Sequence, residues 1–224
     1  MARVNELKEM AFKVGLYNVS KLDDFDFDIK DNKDYLMHIL KFEYVSRKRN
    51  ALQTRRKKSK LPVVDMKKQY TGIEEWNMKG LLKLDWLEKC NNLVFYGKCG
   101  TGKTQAAVMI ADKALDKGYR VYYIKIDELM NVLKTKDVLP KSKKTYEYLK
   151  QCDLIIIDDV MYIPLTEEEL LILYKVAMFL GESRSLIFVT NRRLGDWKDA
   201  YKEVYTIETL VDRLLTYSRI VMFK

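Results

Sequence analysis

Two kinds of hydrophobic pattern alternate along most of the chain. Short runs that are apolar at every position are typical of strands covered on both faces. Between these runs, apolar residues recur at the three- and four-residue spacing of amphipathic helices. The alternation predicts an α/β fold with a mostly parallel five-stranded sheet between layers of helices. The predicted strands cover 93–96, 121–124, 154–157, 186–189 and 221–223, and the predicted helices cover about 103–116, 127–133, 144–151, 166–180 and 207–217.

The N-terminal part of the chain has helical patterns only. Apolar positions between Val4 and Val14 follow helical spacing, and a second helical pattern begins near Tyr35 and ends at Pro62. Proline ends a helix because it lacks a backbone N–H and its ring clashes with the preceding turn. We therefore expect a small helical region over residues 1–62 and a main domain over residues 63–224.

Composition restricts the class of protein. The chain has 224 residues, of which 48% are hydrophobic, enough for one sizeable core and a smaller appendage. It has no run of 18 apolar residues and no leader pattern, so we expect a cytoplasmic protein with no membrane partner. A single histidine, His38, and three scattered cysteines argue against a histidine-based metal centre and a disulfide framework.

Positive charge is concentrated before the main domain. The formal net charge is +9, and residues 47–68 contain ten Lys and Arg but one acid, Asp65. Such a segment favours a polyanion, although a solvated charged surface is the alternative. No aromatic residue lies within the tract, which favours the backbone of double-stranded DNA over stacking on single strands. We therefore expect the helical region over residues 1–62 to bind DNA or a partner. The candidate DNA-binding residues are Arg47, Arg49, Arg55, Arg56, Lys57, Lys58 and Lys60.

A glycine-rich motif follows the first predicted strand. Residues 97–104 match the phosphate-binding pattern G-x-x-x-x-G-K-[ST] where a strand should pass into a helix. Backbone N–H groups of such a loop and the helix N-terminus bind phosphates. Lys103 should contact the β- and γ-phosphates, and the Thr104 hydroxyl should bind Mg²⁺. We expect a nucleoside triphosphate, held by Gly97, Lys98, Cys99, Gly100, Thr101, Gly102, Lys103, Thr104 and Gln105.

Polar residues that follow other predicted strands complete a candidate hydrolysis site. Asp158 and Asp159 follow the apolar run 154–157, and in a nucleotide hydrolase the first would hold Mg²⁺ and the second would activate water. The alternative is an ordinary turn, which Asp favours. Asn191 follows another strand and could contact the γ-phosphate, or could simply lie in a turn. Arg213 could stabilise the transition state, or could be a surface residue.

The order of these motifs resembles the AAA+ class of ATPases, and more narrowly the IstB and DnaC/DnaI branch. The narrower resemblance is carried by three segments. They are Asp158-Asp159-Val160-Met161-Tyr162-Ile163-Pro164-Leu165, Thr190-Asn191-Arg192-Arg193 followed by Asp196-Trp197, and Asp212-Arg213-Leu214-Leu215. The resemblance implies a three-layer αβα domain preceded by a helical, basic region.

The resemblance also implies ATP as the nucleotide and roles for the candidate residues. Residues 97–104 would be the Walker A loop, Asp158 and Asp159 the Walker B acids, and Asn191 the sensor 1 residue. Arg213 would act on the nucleotide of a neighbouring subunit, so the active unit would be a homo-oligomer.

Two departures from the AAA+ pattern are visible. Many members have Glu at the position of Asp159, and the shorter side chain suits slow, switch-like hydrolysis. Only 11 residues follow Arg213, so we expect no C-terminal lid domain.

Three functions are compatible with these features. The leading hypothesis is an ATPase that assembles on duplex DNA and assists a transposase in target selection and transposition. The alternative is a replicative helicase loader of the DnaC/DnaI type. A small-molecule kinase is a third hypothesis, although we find no second substrate-binding set of residues for it.

Overall fold

A computed structural model describes residues 2–22, 32–64, 72–89, 91–181, 184–201 and 205–224. The last part of the basic tract, including Lys67 and Lys68, lies outside the described residues. The chain divides into two compact units, Met1–Thr54 and Arg55–Lys224. Among the described residues no helix is long and apolar enough to cross a membrane.

The N-terminal unit contains helix α1 (Ala2–Lys13), a 3-10 turn (Val19–Lys21) and most of helix α2 (Asn32–Ser59). Glu43 of α2 is 3% exposed, and its carboxylate accepts hydrogen bonds from the backbone N–H groups of Asn18 and Val19 at 2.9 and 3.1 Å. Arg47 Nε donates to it at 2.7 Å. Burial opposes the charge of Glu43, but these hydrogen bonds outweigh burial and hold its pKa below the ordinary value. One carboxylate therefore ties the turn to α2.

The second unit contains a sheet of five parallel strands, as the apolar runs predict. The strand order is β2-β3-β4-β1-β5. In a parallel sheet the carboxyl ends of all strands meet at the same edge, where ligands bind in α/β folds. The strands are β1 (Asn92–Gly97), β2 (Val121–Lys125), β3 (Leu154–Val160), β4 (Ser185–Thr190) and β5 (Ser218–Phe223).

Helices cover both faces of this sheet. The helices of the second unit are α3 (Glu75–Leu82), α4 (Asp85–Glu88), α5 (Lys103–Lys117), α6 (Ile126–Thr135), α7 (Pro140–Leu149), α8 (Glu167–Gly181), α9 (Leu194–Ala200) and α10 (Tyr205–Tyr217). On one face, Ile124, Ile157 and Phe188 pack in a core with residues of α6, α8 and α10. On the other face α5 packs against β1 to β4. This is the three-layer arrangement expected from strands that are apolar at every position.

The structure differs from the predicted elements at several places. Helix α2 ends at Ser59, before Pro62, and strand β5 begins at Ser218, three residues before the prediction. Helix α7 begins at Pro140, four residues before the prediction, because proline is well suited to the first position of a helix. Helix α9 was not predicted, since only Leu194 and Trp197 of its residues are buried and seven residues give too little periodic signal. Strand β3 continues through Asp158 and Asp159 instead of ending at Ile157.

Candidate nucleotide-binding site

The predicted phosphate-binding loop joins the end of β1 to the start of α5. Gly97 lies so close to the last strand that an added Cβ would be 2.1 Å from the carbonyl oxygen of Phe223. Gly102 is the N-cap of α5 with a φ of 89°, a left-handed conformation that glycine adopts without strain. The glycines therefore allow the loop to turn at the N-terminus of a helix, where phosphate groups are attracted.

Lys103 folds back over this loop. Its Nζ donates to the carbonyl oxygens of Gly97 at 2.8 Å and of Lys98 at 2.7 Å. The residue is 6% exposed, and this burial lowers the pKa of Lys103, while the nearby Cys99 and the two acids of β3 offset part of the effect. The loop carbonyls thus hold the amine at a position from which it can exchange them for phosphate oxygens.

Asp158 has hydrogen-bond partners on both carboxylate oxygens. Its Oδ2 accepts hydrogen bonds from the Thr104 hydroxyl at 2.9 Å and the Tyr123 hydroxyl at 2.7 Å, and its Oδ1 accepts one from the backbone N–H of Asp159 at 2.8 Å. Asp158 is only 4% exposed, and buried polar oxygens need such hydrogen-bond partners. Burial, and next the negative charge of Asp158, raise the pKa of Tyr123, so that the tyrosine hydroxyl keeps its proton and donates.

Asp159 differs from Asp158 in its backbone conformation and in its partner. Its φ is 59°, which is uncommon for a residue other than glycine, and the pairing of β3 with β4 shifts register between Ile157 and Val160. Its Oδ2 pairs with the Nζ of Lys125 at 2.8 Å, and this contact raises the pKa of Lys125. The backbone irregularity therefore directs two consecutive acids to different partners.

One cavity of about 270 Å³ brings the predicted site residues together. The phosphate-binding loop, the two acids of β3 and the end of β4 each form part of its wall. Its lining residues are Cys99, Gly100, Gly102, Lys103, Thr104, Gln105, Asp158, Asp159, Val189, Thr190 and Asn191. Asn191 thus lies with Lys103 and the acids, as expected where the carboxyl ends of parallel strands meet.

The residues of this cavity fit a magnesium ion that is bound together with a nucleotide. The Thr104 Oγ1 and the Asp158 Oδ2 are 2.9 Å apart, and Mg²⁺ prefers oxygen ligands while retaining water and substrate phosphates in its shell. Within the described ranges, no three His, Cys, Asp or Glu side chains form a cluster suited to a metal. The partial ligand set matches a metal that needs the triphosphate to complete its coordination.

Arg213 does not line this cavity in its own chain. It lies on α10, with its guanidinium carbon 4.4 Å from the centroid of the Tyr217 ring. The neighbouring Asp212 pairs with Lys198 at 2.8 Å. The structure therefore brings Asn191 to the acids, but not Arg213.

A larger cavity of about 520 Å³ borders Asp159 and Lys125 from the direction of α6. Much of its wall is apolar and comes from Met130 of α6 and from the segment after β3, where Tyr162 and Ile163 are each 65% exposed. The phosphate-binding loop contributes no residue to this wall. Of these two cavities, the smaller one is therefore the one that the phosphate-binding loop lines.

Four of the seven predicted DNA-binding residues have partners within the chain. The partners are Glu43 for Arg47, the Gly118 carbonyl for Arg55, Asp112 for Arg56 and Glu128 for Lys60. The other three, Arg49, Lys57 and Lys58, are exposed and form no hydrogen bond or ion pair with the described part of the chain. The residues that are available to a polyanion are therefore fewer than the sequence suggests.

Two polar residues that contact the acids of the site were not predicted from the sequence. Tyr123 and Lys125 are two positions apart on β2, so their side chains share a face of the sheet, and β2 pairs with the acid-bearing β3. The available signal was a tyrosine and a lysine spaced by two at the carboxyl end of a predicted strand. It becomes informative only when the strand order places β2 beside β3.

The parallel sheet, its strand order and the loop between β1 and α5 define a P-loop ATPase fold of the AAA+ class. The fold is similar to that of the DnaC helicase loader, with a TM-score of 0.56 and 17% identity over 66% of this chain and 87% of that one. For DnaI the TM-score is 0.55, with 14% identity over 75% of this chain and 94% of that one. For domain III of DnaA from Thermotoga maritima the TM-score is 0.53, with 18% identity over 72% of this chain and 69% of that one. At these identities the likeness establishes the fold alone.

Within this class, the chain belongs to the family of IstB-like ATP binding proteins, which matches residues 16–224. An IS21-like insertion-sequence protein of Bacteroides fragilis is 33% identical over 81% of this chain and 71% of the relative. The IS21 protein of Pseudomonas aeruginosa is 26% identical over 83% of this chain and 72% of the relative. The IS5376 protein of Geobacillus stearothermophilus is 28% identical over 85% of this chain and 78% of the relative. The family predicted from the motifs is thereby confirmed.

Proposed function

We propose that this chain is an ATPase that assembles on duplex DNA when ATP is bound and assists a transposase in target selection and DNA transposition. Hydrolysis of ATP to ADP and phosphate resets the assembly. The observation that carries the ATPase proposal is the single cavity lined by Lys103, Thr104, Asp158, Asp159 and Asn191. It combines groups that bind phosphate, hold a metal and orient water.

Each group has a distinct task in this mechanism. Lys103 exchanges its hydrogen bonds to loop carbonyls for the β- and γ-phosphate oxygens. Thr104 and Asp158 hold Mg²⁺, which when bound neutralises negative charge that develops on the phosphate oxygens. Asp159 orients the attacking water and accepts its proton, and Asn191 contacts the γ-phosphate or that water. We expect slow turnover, because Asp159 has a short side chain and is paired with Lys125.

An oligomer completes the site in this proposal. Arg213 is absent from the cavity of its own chain, while a phosphoryl-transfer site gains from an added positive charge during reaction. We propose that Arg213 of one subunit acts on the nucleotide bound by its neighbour. Assembly and hydrolysis are then coupled, because hydrolysis requires the subunit contact.

Two observations support DNA and a transposase as partners. Arg49, Lys57 and Lys58 are exposed on the helix α2 and have no acidic partner among the described residues, so they can neutralise phosphates. The relatives described above are proteins of insertion sequences, which favours transposition as the process.

The experiment that tests this proposal is retention of duplex DNA with ATP, with ADP and without nucleotide. The wild type should retain DNA best with ATP. Lys103→Ala should abolish nucleotide binding and the ATP effect, whereas Asp159→Asn should bind ATP, fail to hydrolyse it and keep DNA bound. DNA retention that ignores both nucleotide and salt would refute the proposal. Stable capture of a hexameric helicase, without ATP-dependent duplex binding, would favour the loader instead.

A further inference from the structure

The hydroxyl of Tyr123 contacts Asp158, the acid proposed to hold Mg²⁺. Its hydroxyl donates to Asp158 Oδ2 at 2.7 Å, which is a short distance typical of charge-assisted hydrogen bonds. Thr104 donates to the same oxygen at 2.9 Å. The adjacent Tyr122 faces the opposite side of the sheet and packs edge-on against Tyr148 in the core. Only one of the two consecutive tyrosines therefore contacts the site.

The three donors around Asp158 have different freedom to move. The Asp159 N–H is part of the backbone of β3. Thr104 lines the cavity and is a predicted metal ligand, so its hydroxyl would turn to the metal when nucleotide is bound. Tyr123 lies in β2 and does not line the cavity. It is therefore the side-chain donor that can fix the Asp158 carboxylate both before and after nucleotide binding. Partners of this kind orient metal ligands in proteins.

We propose that Tyr123 is a positioning residue that holds Asp158 in the orientation required for Mg²⁺. The inference rests on the proposed Mg²⁺–ATP site and adds a residue to it. The hydroxyl acts on the metal only through the carboxylate, because it shares Asp158 Oδ2 with Thr104 instead of binding phosphate. Its loss should loosen the metal and leave the contacts of Lys103 with the phosphates intact.

The test separates metal binding from nucleotide binding in the full chain. Tyr123→Phe removes the hydroxyl and keeps the ring. Binding of a fluorescent ATP analogue is measured with EDTA and then across a Mg²⁺ titration, and Mn²⁺ binding with the nucleotide present is followed by electron paramagnetic resonance. Tyr119→Phe is the matched control, since its hydroxyl bonds Glu88 and the residue does not line the cavity. Melting temperatures of both variants check the fold.

We expect Tyr123→Phe to need about 10-fold or more metal for half-saturation, the usual effect of removing a partner of a metal ligand. Nucleotide affinity in EDTA should stay within about twofold of the wild type, and Tyr119→Phe should match the wild type throughout. Once Asp158→Asn is present, the Tyr123 change should add nothing, because the two residues act as one unit.

Three results would overturn the inference. An unchanged metal requirement in Tyr123→Phe would show that the hydroxyl does not position the acid. A parallel loss of nucleotide affinity in EDTA would show a general disturbance of the loop. An effect that persists in full with Asp158→Asn would show that Tyr123 acts by another route. A wild type that gains no affinity from Mg²⁺ would instead contradict the proposed function itself.

Discussion

Replacement of Lys57 and Lys58 by glutamine should reduce the salt dependence of DNA binding more than the same replacement of Arg56 and Lys60. Each double variant removes two positive charges from neighbouring positions of the basic tract. Lys57 and Lys58 are exposed and are free of acidic partners within the described residues. Arg56 and Lys60 pair with Asp112 and Glu128 of the ATPase unit, and those contacts compete with phosphate.

The expected magnitude follows from counterion release. Each phosphate contact contributes about 0.9 to the slope of log affinity against log salt. Loss of two contacts should lower the slope by about 1.8, so a fourfold rise in salt should cost the Lys57/Lys58 variant about 12-fold less affinity than it costs the wild type. The Arg56/Lys60 variant should stay within about 0.9 of the wild-type slope. It should instead lose stability, at about 1 kcal/mol or less for each half-exposed ion pair.

Fluorescence anisotropy of a labelled duplex, with ATP and between about 50 and 200 mM salt, measures these slopes. Urea unfolding measures the stabilities. Lys113→Gln with Lys175→Gln is the control, because these exposed lysines lie on other helices and their loss changes the net charge equally. Equal slope changes in all three variants would refute the reasoning, since net charge alone would explain binding. So would an unchanged slope for the Lys57/Lys58 variant.

Four further predictions follow from the same contacts. Arg213→Ala should bind ATP but not hydrolyse it, and mixing with subunits that carry Arg213 but are inactivated at Asp159 should restore part of the activity; no restoration would argue against action in trans. Lys125→Met should raise basal hydrolysis several-fold in a phosphate-release assay, because it frees the Asp159 carboxylate; slower hydrolysis would contradict this. Bound ATP should slow alkylation of Cys99, which is exposed, as followed by peptide mass spectrometry; equal rates would place the nucleotide elsewhere. Glu43→Gln should destabilise the N-terminal unit by about 1 to 3 kcal/mol, and hydrogen exchange at the 18–19 amides measures this.

The pH dependence of the Glu43 contribution has a definite sign. The pKa of Glu43 is held below its ordinary value of 4.5 in the folded chain. A carboxyl with a lowered folded pKa stabilises the protein above the unfolded pKa, and the contribution is lost as pH falls through the folded pKa. The difference in exchange between wild type and Glu43→Gln should therefore be full at neutral pH and shrink below about pH 4.5. A difference that grows towards acid pH would contradict the assignment.

The sheet and the phosphate-binding loop could be predicted from the sequence because their signals are local. Continuous apolar runs mark all five strands, and 97–104 carries its chemistry within eight consecutive positions. The family followed from the same motifs. In contrast, the end of β3 could not be predicted, because the register shift between Ile157 and Val160 depends on the neighbouring strand.

The remaining gaps concern contacts between distant segments. Tyr123 and Lys125 join the site only because β2 lies beside β3, and no local pattern states that order. The same holds for the basic tract. Its charges can be counted in the sequence, but the acidic residues that pair with them cannot be identified there. Arg56, for example, pairs with Asp112 on a helix that follows the first strand. Charge density in the sequence therefore does not show which of these cations are already paired within the chain.

The mass of the protein on a duplex of fixed length tests the central claim most directly. It should be measured with ATP, with ADP and without nucleotide, and again with Asp159→Asn and ATP. We predict several protomers per duplex with ATP, few or none in the other two states, and an assembly that persists in the Asp159→Asn variant. A mass that is the same in all three nucleotide states would contradict the account.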